Sequence, residues 1–299
     1  MHENWLQAFQ KTLRYEREAA VRDVLEDLAQ LSAFDRQMEG EEAKWKKRTG
    51  AVGCSSVLAL VGTIASIATG IVPLAYLLGP IFLAAVVSSV VFGVKWSHFA
   101  RLNLENRRIQ VPQTVLQYLC HDMAPTQVVR LTLDFRNYRD PAFLKNSSKS
   151  GLFGAQRAYQ YAVPWLNLRG QLLDGHRFDL SLTSLAKRKE KQKRKYTKVR
   201  EAIRERLDLT VRVKTAKFPA LAEISARATA NGVPTPFQPT SIQVVNDCVE
   251  LVGVTSPHFR TAGRGTSIEK NLPAGGGCTS DHALKSFLTV YAALDLCRG

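Results

Sequence analysis

"ATGIVPLAYLLGPIF", residues 68–82, decides how the chain is organised. It lies inside a run from Thr49 to Val94 that carries no charged residue. Two Gly/Pro interruptions mark it, one at Gly70 and Pro73, the other at Gly79 and Pro80. The apolar core of the run, residues 51–94, would make a single helix about 66 Å long, roughly twice the hydrocarbon thickness of a bilayer. Two helices joined by a turn fit that thickness. A turn at Gly79 and Pro80 leaves residues 81–94 too short to span. A turn at 70–73 leaves 51–69 and 74–94, each near the roughly 20 residues a span needs. The expected arrangement is a two-span transmembrane helical hairpin over residues 49–95, with Pro80 loosening the start of the second span. Such a run is rare in a soluble core, and it starts too late and runs too long for a cleaved signal peptide.

The flanks set an expected orientation. Lys44, Lys46, Lys47 and Arg48 precede the hairpin, and Lys95, Arg101, Arg107 and Arg108 follow it. Basic residues at both outer ends, and none in the turn, place the N- and C-termini in the cytoplasm. Trp45 and Trp96 stand where interfacial aromatics belong. Ser55, Ala59, Gly62 and Ser66 in the first span, and Ala85, Ser89 and Gly93 in the second, recur at spacings of three and four. Such faces let helices approach closely in lipid. Their first expected use is to pack the two spans together; a homo-oligomer built through them is the alternative. Neither span contains an ionisable Asp, Glu, Lys, Arg or His, which argues against a proton relay or an ion-coupled transporter.

The formal net charge of +15 is unevenly placed. Residues 126–218 hold 22 basic and 8 acidic groups, whereas the remainder is nearly balanced. A concentrated excess of this kind suits a polyanionic partner. The five cysteines are few, scattered and odd in number, as expected of reduced thiols rather than a disulfide framework.

Outward from the hairpin, residues 1–48 read as a helical cytoplasmic segment, with an apolar stripe from Leu6 to Phe34 and a break at Gly40. Residues 96–125 read as a helical stalk with a break near Pro112. From Thr126 the period changes to two. "VVRLTLDFR", "RLDLTVRVK" and "SIQVVNDCVELVGV" alternate apolar and polar residues as half-buried strands do. Asp174 and Gly175 give a hairpin signal of the type I′ kind, and Asn246 and Asp247 a second one. A Gly/Ser-rich loop is expected over 146–154, a proline-rich loop over 231–239 and another long loop over 261–277. An amphipathic helix is expected over about 281–297, capped by Ser280 or Asp281. The fold class is thus a membrane-anchored α+β protein, with residues 126–299 forming a basic, antiparallel β-rich cytoplasmic domain that ends in a helix.

Three stretches carry candidate chemistry. "KRKEKQKRKYTKVR", residues 187–200, has nine basic residues against Glu190 alone. Lys187, Arg188, Lys189 and Lys191 precede its centre; Lys193, Arg194 and Lys195 form it; Lys198 and Arg200 follow. This is the expected polyanion-binding segment, with anionic lipid headgroups ahead of nucleic acid, because Tyr196 alone supplies little base stacking. The opposing reading is a solvated hairpin extension. Arg177 with Asp179, and Arg206 with Asp208, share strand faces and read as surface ion pairing. "GGGCTSDH", residues 275–282, brings Cys278 and His282 near a helix start, the one arrangement that resembles an activated nucleophile. No phosphate-binding Gly-rich loop, HExxH or CxxC is present, so no metal or cofactor is expected. Three functions follow as expectations: a membrane-anchored binding or scaffolding protein with a basic cytoplasmic domain, an oligomeric pore-forming effector with a cytoplasmic sensor domain, and a membrane-tethered Cys/His enzyme.

Overall fold

The computed structural model describes residues 3–70, 72–124, 126–151, 156–237, 240–262 and 277–298. Helix α1 (Glu3–Thr12) leads to strand β1 (Arg14–Ala20) and helices α2 (Val21–Ala68), α3 (Val72–Leu102) and α4 (Asn106–Leu119). Strands β2 (Val128–Asp134), β3 (Leu144–Ser150), β4 (Gln156–Gln171), β5 (Arg177–Gln192) and β6 (Thr197–Arg212) follow. Helix α5 (Ile224–Ala230), strands β7 (Thr240–Val245), β8 (Cys248–Val254) and β9 (His258–Ala262), and helix α6 (Ser280–Asp295) complete it. The protein is a mixture of helices and antiparallel sheet with two long apolar helices. The chain divides into two compact units, Met1–Leu28 with Glu105–Gly299, and Ala29–Leu104.

In the unit Ala29–Leu104 both helices are long and apolar enough to cross a membrane, and their apolar windows are almost unburied by the rest of the chain. They turn at Gly70, whose φ of 74° lies in the left-handed region that glycine tolerates. Ser56 Oγ stands 3.4 Å from Ser89 Oγ between the helices. A Cβ at Gly62 would meet Leu78 Cδ1 at 3.2 Å. Ala59, Ala85, Ser89 and Gly93 are half-buried and Ser66 is buried, whereas Ser55 is exposed and its neighbour Ser56 is buried instead. At one end of the pair the Trp45 ring is flanked by Arg48 at 4.9 Å and Lys95 at 4.6 Å. Helix α2 continues through Gly40 without the expected break. Helix α3 ends at Leu102, where Leu104 N–H donates to Asp35 Oδ1 at 2.7 Å and Asn103 Nδ2 donates to Glu42 Oε2 at 2.6 Å. These acidic side chains accept from the chain just beyond the helix end. The expected break near Pro112 is absent, and Pro112 sits buried inside α4.

In the other unit nine described strands form one antiparallel sheet of order β1-β2-β4-β5-β6-β8-β7. Strands β4, β5 and β6 are 16 residues each. That is about twice the reach of the strands beside them. Strand β4 therefore pairs with β2 along one half and β3 along the other, and β6 pairs with β8 and then β9. Leu180, Leu182, Leu207, Leu209, Leu251, Leu131, Leu133 and Leu168 are fully buried on one face. Phe178 on that face meets Phe287 of α6 edge-on at 5.4 Å. Strand β1 replaces part of the expected N-terminal helix. Leu13 has φ of 53°, which ends α1, and residues 14–20 pair with β2. Tyr15 donates from its hydroxyl to Asp27 Oδ2 at 2.8 Å, and Arg17 pairs with the same carboxylate. The expected loop over 146–154 is strand β3 as far as Ser150, and residues 152–155 lie outside the described residues.

The β4–β5 turn is longer than the expected two-residue type. Leu172 and His176 close it, Gly175 N–H donates to Leu172 O at 2.9 Å, and in this turn only Gly175 has positive φ, 86°. A type I turn followed by a left-handed glycine satisfies those bonds, and the type I′ expectation is corrected accordingly.

Candidate functional site

Strand register decides where the basic residues go. Side chains alternate between faces, so the odd-numbered residues of β5 and the even-numbered residues of β6 share the face opposite the core. Lys187 pairs in register with Ala202, Lys189 with Arg200 and Lys191 with Lys198. Lys187, Lys189, Lys191, Lys198 and Arg200 thus form a ladder on one face of the far end of the sheet. Two rungs place like charges directly opposite each other, an arrangement that destabilises a strand pair. No ion pair joins any of the five to a described carboxylate. Lys193, Arg194 and Lys195 form the exposed turn, closed by Lys193 N–H donating to Tyr196 O at 2.8 Å. Residues 187–200 are therefore paired strand and tight turn.

Arg188 stands apart from this set. It lies on the core-side face, 16% exposed, and pairs with Glu190 at 2.7 Å and Glu201 at 3.0 Å. Glu201 is buried and also receives Tyr138 Oη and, at 3.1 Å, Arg139. Burial and the neighbouring Glu201 carboxylate push the Tyr138 hydroxyl up, so it stays a donor. The Arg188 guanidinium is consumed inside the fold and leaves the outward ladder.

Two further arginines are likewise internal. Arg107 and Arg108, expected beside the second span, open α4 and lie over the buried Trp165 ring at 5.3 and 5.8 Å. Arg107 donates to both oxygens of Glu205, at 2.5 and 2.7 Å, and to Cys278 O at 2.9 Å. Glu205 also accepts from Ser184 Oγ at 2.9 Å and Cys278 N–H at 2.5 Å. Burial alone would raise the Glu205 carboxyl, but the Arg107 guanidinium and these donors hold it below the usual carboxylate range.

That network removes the premise of an activated thiol. Cys278 is buried, and burial together with the Glu205 charge pushes its thiol up, which keeps it protonated and poorly nucleophilic. His282 serves the helix start. Its Nδ1 accepts from Thr279 N–H at 3.1 Å while Thr279 Oγ1 accepts from His282 N–H at 3.3 Å, a reciprocal cap with Thr279 in the place expected of Ser280 or Asp281. Gly275 and Gly276 of the same motif lie outside the described residues. Among the described residues no cluster of three or more His, Cys, Asp or Glu could hold a metal ion. Of the expected Arg/Asp surface pairs, Arg206 meets Asp208 at 2.7 Å, whereas Asp179 pairs with Arg169 of β4 at 2.6 Å rather than with Arg177.

Beside the basic ladder lies a groove of about 450 Å³, lined by Lys145, Lys187, Arg204, Leu185, Ala202 and Phe259 among others. Gln160, Lys187, Ala202 and Phe259 occupy one cross-strand row, and Ala162, Leu185 and Arg204 the next. Phe259 is 72% exposed. Lys145, Arg204 and Phe259 escaped the sequence reading because their neighbours come from strands distant in the chain. The short alternation of "HFRTA" between Pro257 and Gly263 was the available signal. No family model matches this chain, and neither the curated proteins nor the solved structures include a significant match to it.

Proposed function

We propose that this is a membrane-anchored binding protein whose basic β-hairpin holds the sheet unit against a polyanionic surface, the anionic headgroups of the leaflet it is tethered to. In this reading α2 and α3 cross the bilayer as a two-span hairpin and both chain ends are cytoplasmic. The observation that carries it is the register of Lys189 against Arg200 and Lys191 against Lys198. A fold that places like charges face to face, with no described carboxylate to pair them, is weakened by that choice unless an anion outside the chain offsets it. Each basic side chain near an anionic leaflet contributes about 1 kcal/mol. Tethering raises the local concentration of lipid above that of any soluble competitor. The exposed apolar surface of the two long helices supports the anchoring part. Lys44, Lys46, Lys47 and Arg48 at one outer end and Lys95 and Arg101 at the other support the orientation.

The effector reading has less support, because the small-residue faces pack α2 on α3 within one chain. An oligomeric pore would have to assemble through the larger exposed apolar residues.

The test uses the full-length chain in nanodiscs of neutral or phosphatidylserine-containing lipid, with hydrogen exchange read over residues 187–200 at low and high salt. Protection in the anionic disc that salt removes and an RNA oligonucleotide leaves intact supports the proposal. Protection that RNA abolishes moves the partner to nucleic acid. No protection in any disc overturns the polyanion contact.

A further inference from the structure

Resting on that reading, we infer that the groove between Lys145, Lys187, Arg204 and Phe259 is a headgroup site for a lipid carrying a phosphomonoester, with Phe259 entering the bilayer interface beside it. In the row Gln160, Lys187, Ala202, Phe259 the small side chain of Ala202 separates a cation from a bulky ring, and in the next row Ala162 and Leu185 continue an apolar floor up to Arg204. The alternation of small and large side chains leaves a trough of about 450 Å³ on this face of the sheet. Lys145 reaches it from the irregularity where β3 loses register with β4, between Leu144 and Asn146.

Three cations therefore surround one trough, and none of the three forms an ion pair with a described carboxylate. A phosphodiester brings one negative charge. A phosphomonoester brings close to two near neutral pH, with three acceptor oxygens, and matches three cations better. Arg204 supplies the planar fork suited to a phosphate, and the two lysines supply point charges. Phe259 explains why the source is a bilayer rather than a free phosphate. A large ring left 72% exposed beside cations is the pattern of an interfacial anchor, apolar body toward the acyl boundary and charge toward the headgroups. Phe259 beside the trough and Tyr196 in the turn together offer little base stacking, which places nucleic acid second.

The experiment compares acetylation rates of individual lysines in the full-length protein, held in nanodiscs of phosphatidylcholine alone, with phosphatidylserine, or with phosphatidic acid at matched surface charge. The expected result is that Lys191 and Lys198 slow equally in both anionic discs, while Lys145 and Lys187 slow further, about fivefold, with phosphatidic acid. Arg204→Gln and, separately, Phe259→Ser are expected to remove that extra protection and to leave Lys191 and Lys198 unchanged. Both positions are exposed and outside the core, so the fold tolerates them. Equal protection of all four lysines by the two anionic lipids overturns the groove and leaves the broader polyanion contact standing. Absence of protection anywhere overturns both. Protection of Lys145 and Lys187 by inorganic phosphate in a phosphatidylcholine disc, or by RNA there, overturns the lipid as source.

Discussion

Arg107 and Glu205 lie 98 residues apart in the chain and meet as a two-pronged ion pair buried beside Trp165, with hydrogen bonds of 2.5 and 2.7 Å. The pair joins the start of α4 to the middle of β6, and through Cys278 it ties down the chain entering α6. Removing one partner leaves a buried charge with no compensation. Arg107→Met is therefore expected to cost about 3–5 kcal/mol of stability, and Arg107→Met with Glu205→Met to recover much of that loss. Urea unfolding of the single and double variants checks it. Equal losses in the single and double variants would show that the pair acts through something other than charge compensation. Because the folded Glu205 carboxyl titrates below its unfolded value, its contribution is complete above about pH 4.3 and is lost as pH falls further.

Gly277 sits against the same pair. A Cβ there would stand 2.1 Å from Arg107 Nη1 and 2.8 Å from Glu205 Oε2. Arginine tips usually swing aside, but this one is held by Glu105, Glu205 and Cys278 O. Gly277→Ala is expected to lower stability by about 1–3 kcal/mol through overpacking. In the Arg107→Met background, where the obstructing guanidinium is gone, the additional loss should shrink well below that. A thermal melt of the four combinations reads the coupling.

The cap of α6 responds to pH. Burial lowers the His282 imidazole, with Asp281 and Glu205 pulling up and Lys285 pushing down, and the Phe237 ring stacks on it at 5.0 Å. Its Nδ1 must be unprotonated to accept from Thr279 N–H. A group whose folded value is depressed supports the fold above its unfolded value, about pH 6.5, and withdraws that support as pH falls below it. Amides in the first turn of α6 are expected to exchange faster below that pH, after correction for intrinsic rates. His282→Gln should flatten the profile, since glutamine keeps a capping acceptor without titrating.

How much of this was legible in residue order depends on the element. The apolar run and Gly70 were enough for two long helices and their turn, because span length leaves one acceptable position. Strands β2, β6 and β8 announced themselves by apolar residues at period two that end up buried, such as Leu207, Leu209 and Val211, and β7 by the same alternation at Ile242 and Val244, which stay half-buried. Strand β1 did not. "RYEREAA" has four charged residues in seven and buries only Tyr15, and it is a strand because β2 offers an edge and Asp27 accepts from both Tyr15 and Arg17. The basic segment was visible as charge, but its division into an outward ladder and an inward Arg188 needed the register. Cys278 beside a helix start looked reactive in one dimension, and its burial beside the distant Glu205 carboxylate pushes the thiol up and leaves it a poor nucleophile.

The like-charge ladder makes the sharpest test, since fold and function should pull in opposite directions. Lys191 faces Lys198 across β5 and β6. Lys191→Glu converts that rung from repulsion to attraction and is expected to stabilise the hairpin by about 0.2–1 kcal/mol, read as slower amide exchange over residues 187–200. The same change removes a cation from the outward face and adds an anion, so contact with a phosphatidylserine-containing bilayer should weaken by at least about fivefold. Lys191→Gln separates the two effects, relieving the repulsion without adding an anion. A ladder kept only as a solvated surface would show the gain in hairpin stability and no change in lipid protection. A ladder kept for an anion shows both changes, with opposite sign.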